Sequence, residues 1–288
     1  MNSIATITTL VDNCVEHPGK TKPDLLGEQG LSFHIQLEER SYLFDTGTGV
    51  TIKENSKQLG IQLEETDAVI LSHGHDDHYG GLESILKAGG RPDLILHPHI
   101  YNTKYKRGKE RQIKDSTFPK SDLQKWGCTL IERCDTMVLD HTLGIVGPIP
   151  MKREPDDHKM KDRLVMNEKG ELIQDLMTDE QVLVGKTEKG LLLIVGCTHC
   201  GLLNTIEQVQ TVTGENRIYG IVGGIHQFHL SDPEIREMAH ALNHLSVHYL
   251  MLGHCSGIDT IFNLSRHFKG VLEPNYVGKN IKVSLLSW

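Results

Sequence analysis

One short segment constrains this chain more than any other part of its sequence. The segment LSHGHDDHYGG, residues 71–81, follows an apolar stretch and contains His73, His75, Asp77 and His78. Two histidines at positions i and i+2 can offer ring nitrogens to one ion, while Asp77 and His78 can face a second ion beside it. Imidazole and carboxylate donors suit zinc, with manganese or iron as alternatives, better than magnesium or calcium. The segment therefore predicts a site for one or two metal ions per chain.

Short apolar runs recur along the chain and alternate with helical patterns. Several runs, such as GLLLIVGC at 190–197, are continuous, which is typical of strands covered on both faces. TEKG at 187–190 predicts a hairpin turn, and MVLDHTLGIVG at 137–147 predicts a further strand. The helical patterns cover residues 50–60, 81–89, 119–126, 201–213, 232–246 and 257–268. Sheets stacked face to face with helices outside accommodate both patterns, so we predict an α/β fold.

Polar clusters follow several of the predicted strands, at the point where each strand ends. They are FDTG (44–47), LSHGHDDH (71–78), VGCTH (195–199), VGGIH (222–226) and LGHCSG (252–257). Loops at strand ends, held by a rigid scaffold, are where chemistry is usually placed. Because each cluster contains Asp, His or Cys, we expect one shared site at one edge of the sheets.

Composition excludes several classes of protein. The chain has 288 residues, of which 38% are hydrophobic and 24% charged, so we predict one globular domain over residues 1–288. A formal net charge of −8 argues against nucleic-acid binding. No apolar run approaches the roughly 20 residues of a membrane span, so we expect no membrane association. The six cysteines are irregularly spaced in a long chain, which favours free thiols in the cytoplasm.

The metal motif also carries a family resemblance. His-x-His-x-Asp-His after an apolar strand resembles the signature of the metallo-β-lactamase fold superfamily. The segments LVDN (10–13), QGLSFHI (29–35), GCTH (196–199), GGIH (223–226) and GHCSG (253–257) resemble its dihydropterin-ribofuranosylaminobenzene phosphate synthase-like branch. The resemblance extends from about residue 5 to residue 270. It implies a four-layer αββα sandwich.

The resemblance also implies the residues of the site. Those it places around two metals are His73, His75 and His199 for the first, and Asp77, His78 and His254 for the second. Asp45 of FDTG would orient a ligand imidazole, as carboxylates commonly do.

The chain departs at one position from the better-known hydrolases that it resembles. Those enzymes carry a Gly-Asp at the end of a late strand, and that Asp bridges both metals. Here the comparable strand ends in Gly196-Cys197, and the next one ends in GGIH. His226 or Cys197 could occupy the vacated space, and we favour His226 as a ligand or a substrate contact. Asp77 and His226 are therefore the candidate catalytic residues.

Two classes of function follow from these features. The first is a metalloenzyme whose ions polarise a substrate oxygen and lower the pKa of bound water. Within it, the branch implies transfer chemistry on a pterin with a phosphorylated partner, and the superfamily at large implies hydrolysis. The second is a non-catalytic metal protein that binds a small ligand or has a regulatory role. The missing bridging carboxylate motivates this second class. We expect a small anionic substrate, and the oligomeric state, a homodimer included, is left open.

Weaker features have more ordinary interpretations beside functional ones. The basic stretch 104–114 would attract a phosphorylated substrate, or be a solvated loop. The charged segment 151–164 is either a lid or a surface excursion. Cys200, which forms a Cys-x-x-Cys with Cys197, is interpreted as a small buried residue beside His199.

Four further histidines form two close pairs. His240 and His244 lie at positions i and i+4, but they point away from the apolar face of their predicted helix and should be solvated. His97 and His99 follow a strand and are interpreted as structural rather than as pocket-lining residues.

Overall fold

The computed structural model describes residues 2–16, 24–106, 123, 125–153, 161–166 and 169–288. Three features of the sequence fall largely beyond these ranges. Most of the predicted helix 119–126, most of the basic stretch 104–114 and the central part of the segment 151–164 lie outside the described residues.

Short strands dominate the described part of the chain. In chain order they are β1 (Ser3–Val11), β2 (Ser32–Leu37), β3 (Arg40–Phe44), β4 (Ala68–Ile70), β5 (Asp93–Leu96), β6 (Lys104–Lys106), β7 (Leu130–Glu132), β8 (Met137–Val138), β9 (Leu143–Val146), β10 (Arg163–Met166), β11 (Leu172–Gln174), β12 (Val182–Thr187), β13 (Gly190–Val195), β14 (Ile218–Gly223), β15 (Tyr249–Leu252), β16 (Val271–Pro274) and β17 (Asn280–Leu285). The α-helices whose bounds fall within the described ranges are α1 (Ile52–Gln58), α2 (Asp76–Tyr79), α3 (Leu82–Lys87), α4 (Leu202–Thr213), α5 (Asp232–His244) and α6 (Ile258–Ser265).

The strands form two large sheets and one small sheet. The first large sheet has the order β17-β1-β2-β3-β4-β5-β7, and the second has the order β16-β15-β14-β13-β12-β9-β8. In each, neighbouring strands are antiparallel at one end and parallel at the other: β3, β4, β5 and β7 run parallel, as do β13, β14, β15 and β16. The small sheet has the order β11-β10-β6.

The hydrophobic core is divided among three clusters that define the layers. An inner cluster lies between the sheets and joins Phe33 and Ile70 of the first sheet to Leu192 and Met251 of the second. A second cluster packs α4, α5 and α6 on the outside of the second sheet. A third packs α1 and α3 on the outside of the first sheet. The order helix, sheet, sheet, helix confirms the predicted α/β class and four-layer αββα sandwich.

Strand β13 shows why its apolar run is continuous. Leu191 and Leu193 point into the helix-covered cluster, whereas Leu192 and Ile194 point into the cluster between the sheets. Successive side chains of a strand face opposite sides, so a strand buried on both faces needs no polar positions. The predicted turn is also confirmed, because β12 and β13 pair antiparallel across Glu188 and Lys189.

Two features differ from the predicted pattern. The run 137–147 is a hairpin of β8 and β9 rather than one strand. The cause is Asp140, whose Oδ1 atom accepts hydrogen bonds from the backbone N–H groups of Thr142 and Leu143 and so closes a turn. The small sheet had no predicted counterpart, because its strands are three or four residues long and largely polar or exposed.

None of the helices in the described ranges has both the length and the apolar character needed to cross a membrane.

Helix α5 illustrates how local sequence defines a helix end. The Ser231 side chain and the Glu234 carboxylate form a capping box at its N-terminus, which pairs N–H groups that would otherwise lack partners.

Candidate metal centre

The polar clusters at the strand ends meet at one site, where the two large sheets face each other. Asp45 follows β3, the segment from Ser72 to His78 follows β4, and Cys197 and His199 follow β13. His226 follows β14 and His254 follows β15. The carboxyl ends of these strands lie along one edge, so residues more than 150 positions apart in the chain become neighbours.

The first set of donors is made of three buried histidines. The Nε2 atom of His73 lies 2.9 Å from Nδ1 of His75. The ring of His199 lies 4.9 Å from that of His73 and 4.7 Å from that of His75, measured between centroids. The structure thus brings together the three residues that the family resemblance implies for one metal.

His199 tests whether this set fits a metal ion. Both of its ring nitrogens are buried, and neither has a hydrogen-bond partner among the described residues. A buried polar atom without a partner costs about 1–3 kcal/mol, so native proteins rarely keep one. A divalent ion would satisfy such a nitrogen, and three converging imidazoles are donors that zinc accepts. The residues present therefore fit the metal that the motif predicts.

The second set contains Asp77, His78 and His254. The two oxygens of Asp77 face the two rings: Oδ1 lies 3.8 Å from Nε2 of His78, and Oδ2 lies 3.6 Å from Nε2 of His254. The Nδ1 atom of each ring has a hydrogen-bond partner of its own. Nδ1 of His78 contacts Asp45, and Nδ1 of His254 lies 2.9 Å from Oδ1 of Asn13. Both Nε2 atoms consequently point into the site.

Cys197 lies between these two sets. Its thiol sulfur is 3.2 Å from Nε2 of His78. Its donor atom groups with those of His73 and His199, and also with those of His78 and His254, all within 4.8 Å in each triad. Cys197 is therefore a residue whose donor atom lies within reach of histidines from both sets.

His226 lies to one side of that space. Its ring centroid is 4.2 Å from that of His199, and its donor atom forms a third triad with the sulfurs of Cys197 and Cys255. His226 is a site residue by position, but Cys197 is the one that contributes to both sets assigned from the sequence.

Asp45 connects two of the strand-end loops. Its Oδ1 atom accepts the backbone N–H of Ser72 at 2.7 Å, and its Oδ2 atom accepts the Ser72 hydroxyl at 2.7 Å and lies 2.7 Å from Nδ1 of His78. The Ser72 Oγ atom in turn lies 2.9 Å from Nδ1 of His73. Asp45 thus orients His78 directly and His73 through Ser72.

Backbone strain is concentrated around the site. Asp45, Thr198, His226 and His254 all have positive φ, between 47° and 60°. Residues other than glycine adopt this conformation rarely and at a cost, and it persists where the surrounding structure enforces it. Gly196 is required for a different reason, since a Cβ atom there would collide with the Ser72 hydroxyl.

Burial and charge give the candidate ligand histidines different protonation behaviour. Burial holds the pKa values of His73, His75 and His199 well below the usual value, which keeps these rings in the neutral form that binds metals. Burial also acts on His78, but the carboxylates of Asp45 and Asp77 outweigh it and raise the pKa of His78 to about 9.

Two residues that support the site were not singled out from the sequence. Glu180 is buried and accepts the backbone N–H groups of His199 at 2.6 Å and of Cys200 at 2.7 Å, which fixes the loop after β13. Asp12 accepts the N–H of His254 at 3.1 Å. Asp12, the third residue of LVDN, directly follows β1, just as the other polar clusters lie at the ends of their strands. That position is the signal that could have found it.

A cavity of about 650 Å3 opens beside the donors. Its lining includes Asn13, Gln29, His75, Asp77, Lys104, Tyr105, Arg163, Cys197, His199, His226, Phe228, His229, His254 and Cys255. Strands β6 and β10 of the small sheet supply one wall. From that wall, Nη1 of Arg163 lies 3.0 Å from Nε2 of His75. The Lys104 ammonium is already paired, 3.0 Å from Asp179 and 3.4 Å from Asp175.

The two histidine pairs considered in the sequence do not line this cavity. His240 and His244 are exposed on α5. His97 and His99 contact each other, and neither lines the cavity. Cys200 is buried with its thiol directed at the backbone oxygens of Leu176 and Met177, which agrees with its interpretation as a small buried residue.

Comparison with known sequences decides the family. A sequence model described as the metallo-beta-lactamase superfamily matches residues 25–172. The chain belongs to the metallo-beta-lactamase superfamily. This membership confirms the resemblance seen in the motifs.

Two relatives match over most of the chain. A curated protein of Methanocaldococcus jannaschii, 7,8-dihydropterin-6-methyl-4-(beta-D-ribofuranosyl)-aminobenzene-5'-phosphate synthase, is 30% identical over 88% of this chain and 90% of its own length. The crystal structure of Tm1679, described as a metal-dependent hydrolase of the beta-lactamase superfamily, is 28% identical with a TM-score of 0.80. That comparison covers 97% of this chain and 99% of the other.

A more distant structure shows how widely this fold is shared. A diphosphatase from the PhnP family is 14% identical with a TM-score of 0.58, and the comparison covers 99% of each chain. At this level of identity the likeness shows the fold alone.

Proposed function

We propose that this chain is a metal-dependent enzyme that transfers a group on a small, phosphorylated, pterin-like substrate. One observation carries the proposal: buried imidazoles line a cavity of about 650 Å3, among them His199, whose two ring nitrogens have no hydrogen-bond partner in the described part of the chain. Cavities of roughly 300–1,000 Å3 that converge on a few polar groups are typical of sites for small molecules.

The donor sets support one or two zinc ions. His73, His75 and His199 would hold one ion, and Asp77, His78 and His254 would hold the other, with Cys197 available to both. The thiol favours zinc over manganese, which prefers oxygen ligands. When bound, such an ion supplies Lewis-acid polarisation of a substrate oxygen and a lowered pKa for a neighbouring water.

Charge and shape of the cavity support the substrate class. Arg163 presents a guanidinium to the cavity, and guanidinium groups bind phosphate with paired hydrogen bonds. Phe228 lines the same cavity with 51% of its surface exposed, so its ring offers a face for stacking a flat heterocycle. The M. jannaschii relative carries both a pterin and a phosphate in its name, which supports a substrate of this class for the present chain.

Asp77 and His226 are the residues that we assign to proton transfer. Both line the cavity, Asp77 between two histidines and His226 beside His199. A group that moves a proton must lie within hydrogen-bond reach of the substrate, and residues on the cavity wall satisfy this requirement.

A substrate comparison tests the proposal. The metal-loaded chain is given a 7,8-dihydropterin whose 6-methyl carbon carries a leaving group, together with 4-(β-D-ribofuranosyl)aminobenzene 5'-phosphate, so that the amine nitrogen can displace the leaving group and form the compound in the relative's name. Product is followed by chromatography and mass spectrometry, with bound metal measured on the same sample. We expect a condensed product that His199→Ala abolishes and His240→Ala leaves unchanged.

Hydrolysis is the second candidate, favoured by the likeness to Tm1679, which is described as a metal-dependent hydrolase. If the chain cleaves a model phosphodiester and forms no condensed product, hydrolysis is the activity and transfer is ruled out. Binding of the phosphorylated compound without turnover under zinc, manganese or iron would contradict both and favour the non-catalytic class.

A further inference from the structure

Two cysteine thiols meet beside the metal-binding histidines. The sulfurs of Cys197 and Cys255 lie 3.1 Å apart, although the residues are 58 positions apart in the chain. Cys197 follows β13, and Cys255 lies in the 3-10 turn His254–Ser256 that follows β15. Two separate strand ends therefore direct sulfur atoms to one point.

The backbone around this pair is shaped to admit the second sulfur. The N–H of His226 donates a hydrogen bond of 3.2 Å to the Cys255 sulfur. A Cβ atom on Gly224 would lie 2.6 Å from that sulfur, so any larger residue there would displace it. His226 has φ of 47°, and this unusual conformation turns its ring toward the two thiols.

The other cysteines have different surroundings. Cys200 directs its thiol at backbone oxygens, Cys128 belongs to an outer core cluster, and Cys14 and Cys134 are exposed. In the described ranges, the Cys197–Cys255 contact is the sulfur pair that also adjoins a histidine donor, with the three donor atoms within 4.8 Å.

We propose that Cys197 and Cys255 are both thiolate ligands of the metal centre. The inference deepens the proposed function, because it rests on a metal at this site. Each thiol gives its proton to solvent when its sulfur binds the ion, as cysteine ligands do. Two soft sulfurs select zinc, cobalt or cadmium over magnesium and manganese. The pair thus supplies negative charge beside the histidine donors.

Cobalt provides a direct readout of sulfur ligation. The metal-free chain is titrated with Co2+ under anaerobic, reducing conditions, and the near-ultraviolet sulfur-to-cobalt charge-transfer absorption is recorded per bound ion. We expect this absorption in the wild type and a loss of about half of it in Cys255→Ser, since one of two thiolates is removed. Cys134→Ser, at an exposed cysteine, is the matched control and should match the wild type.

Zinc-edge X-ray absorption of the wild-type chain covers the case in which a variant fails to fold. Sulfur ligands lie about 2.3 Å from zinc and nitrogen ligands about 2.0–2.1 Å, so the two are resolved without any substitution. Bound metal with no sulfur scattering, or full absorption in folded Cys255→Ser, would overturn the inference while leaving the enzyme proposal standing. A chain that binds no zinc or cobalt would overturn both.

Discussion

The Oδ2 atom of Asp45 lies 2.7 Å from Nδ1 of His78, and Asp45 also holds His73 through the Ser72 hydroxyl. A carboxylate behind a ligand imidazole fixes its orientation and raises its basicity. One buried side chain therefore positions a histidine in each of the two donor sets.

Replacing this carboxylate should weaken metal binding. We expect Asp45→Asn to lower zinc affinity about 10- to 100-fold, because an amide cannot accept the His78 N–H and both Ser72 hydrogen bonds as a carboxylate does. Competition with a chromophoric chelator measures the affinity. Asp67→Asn, which alters a partly exposed partner of Arg40, is the control. Equal affinities in the two variants would show that Asp45 has no such role.

Glu180 should contribute to stability through the loop that carries His199. Glu180→Ala leaves two buried N–H groups without an acceptor, so we expect a loss of about 2–4 kcal/mol in the free energy of unfolding. Glu180→Gln keeps one acceptor oxygen and should lose less. Urea denaturation of the metal-free chain gives these values. Glu237→Ala, on the exposed side of α5, should change stability by less than about 0.5 kcal/mol. A loss of less than about 0.5 kcal/mol in Glu180→Ala would refute this role of Glu180 in stability.

Arg163 should determine affinity for a phosphorylated ligand. We expect Arg163→Gln to weaken binding of inorganic phosphate or a phosphorylated substrate about 10- to 100-fold, the value of a charged hydrogen-bond pair. Arg163→Lys keeps the charge but not the planar guanidinium with its paired donors. Its affinity for phosphate should therefore lie between those of the wild type and Arg163→Gln. Calorimetry on zinc-loaded samples measures binding, with zinc content checked because Arg163 also contacts His75. Arg236→Gln, at an exposed position, is the control. An equally large loss of phosphate affinity in that variant would show that overall charge, rather than Arg163, determines binding.

The buried histidines should make the metal-free chain sensitive to acid. The pKa of His199 is well below 6.5 in the folded chain, because of burial and then of His226, so the unfolded chain binds its proton first as the pH falls. Since unfolding then takes up protons, the free energy of unfolding should fall with pH below about 6.5. His78 has the opposite sign: its stabilising contribution is present below 6.5 and is lost as the pH rises toward about 9.

A pair of variants isolates the contribution of His199. Between about pH 7 and pH 5, the wild type should lose more stability than His199→Gln, which has no proton to take up at this position. Exposed His240→Gln should follow the wild type. Urea midpoints across this range give the comparison, and parallel curves for all three proteins would refute the linkage.

Local patterns predicted most of the fold. The continuous run of β13 indicated burial on both faces, and helices α1, α3, α4, α5 and α6 lie within their predicted ranges. These signals succeed because periodicity reports which faces of an element are covered. They failed for the small sheet, whose short strands depend on pairing with each other rather than on a buried face.

The site was predictable where its donors are close in the chain. His73, His75, Asp77 and His78 lie within one loop, so their spacing alone indicated a metal site. The family signature added His199 and His254. Glu180 and Arg163 carried no such signal, because a single acidic or basic residue has the same sequence pattern on a surface as in a site.

The sequence by itself determined that donors would gather at the ends of buried strands, since apolar runs and dense ligand spacing are local properties. Only the tertiary structure decided which donors share a point. It placed Cys197 between the two histidine sets, set the Cys255 sulfur 3.1 Å away and left His226 beside them. The reason is geometric: these residues follow different strands, and their distances depend on how β13, β14 and β15 align in the sheet.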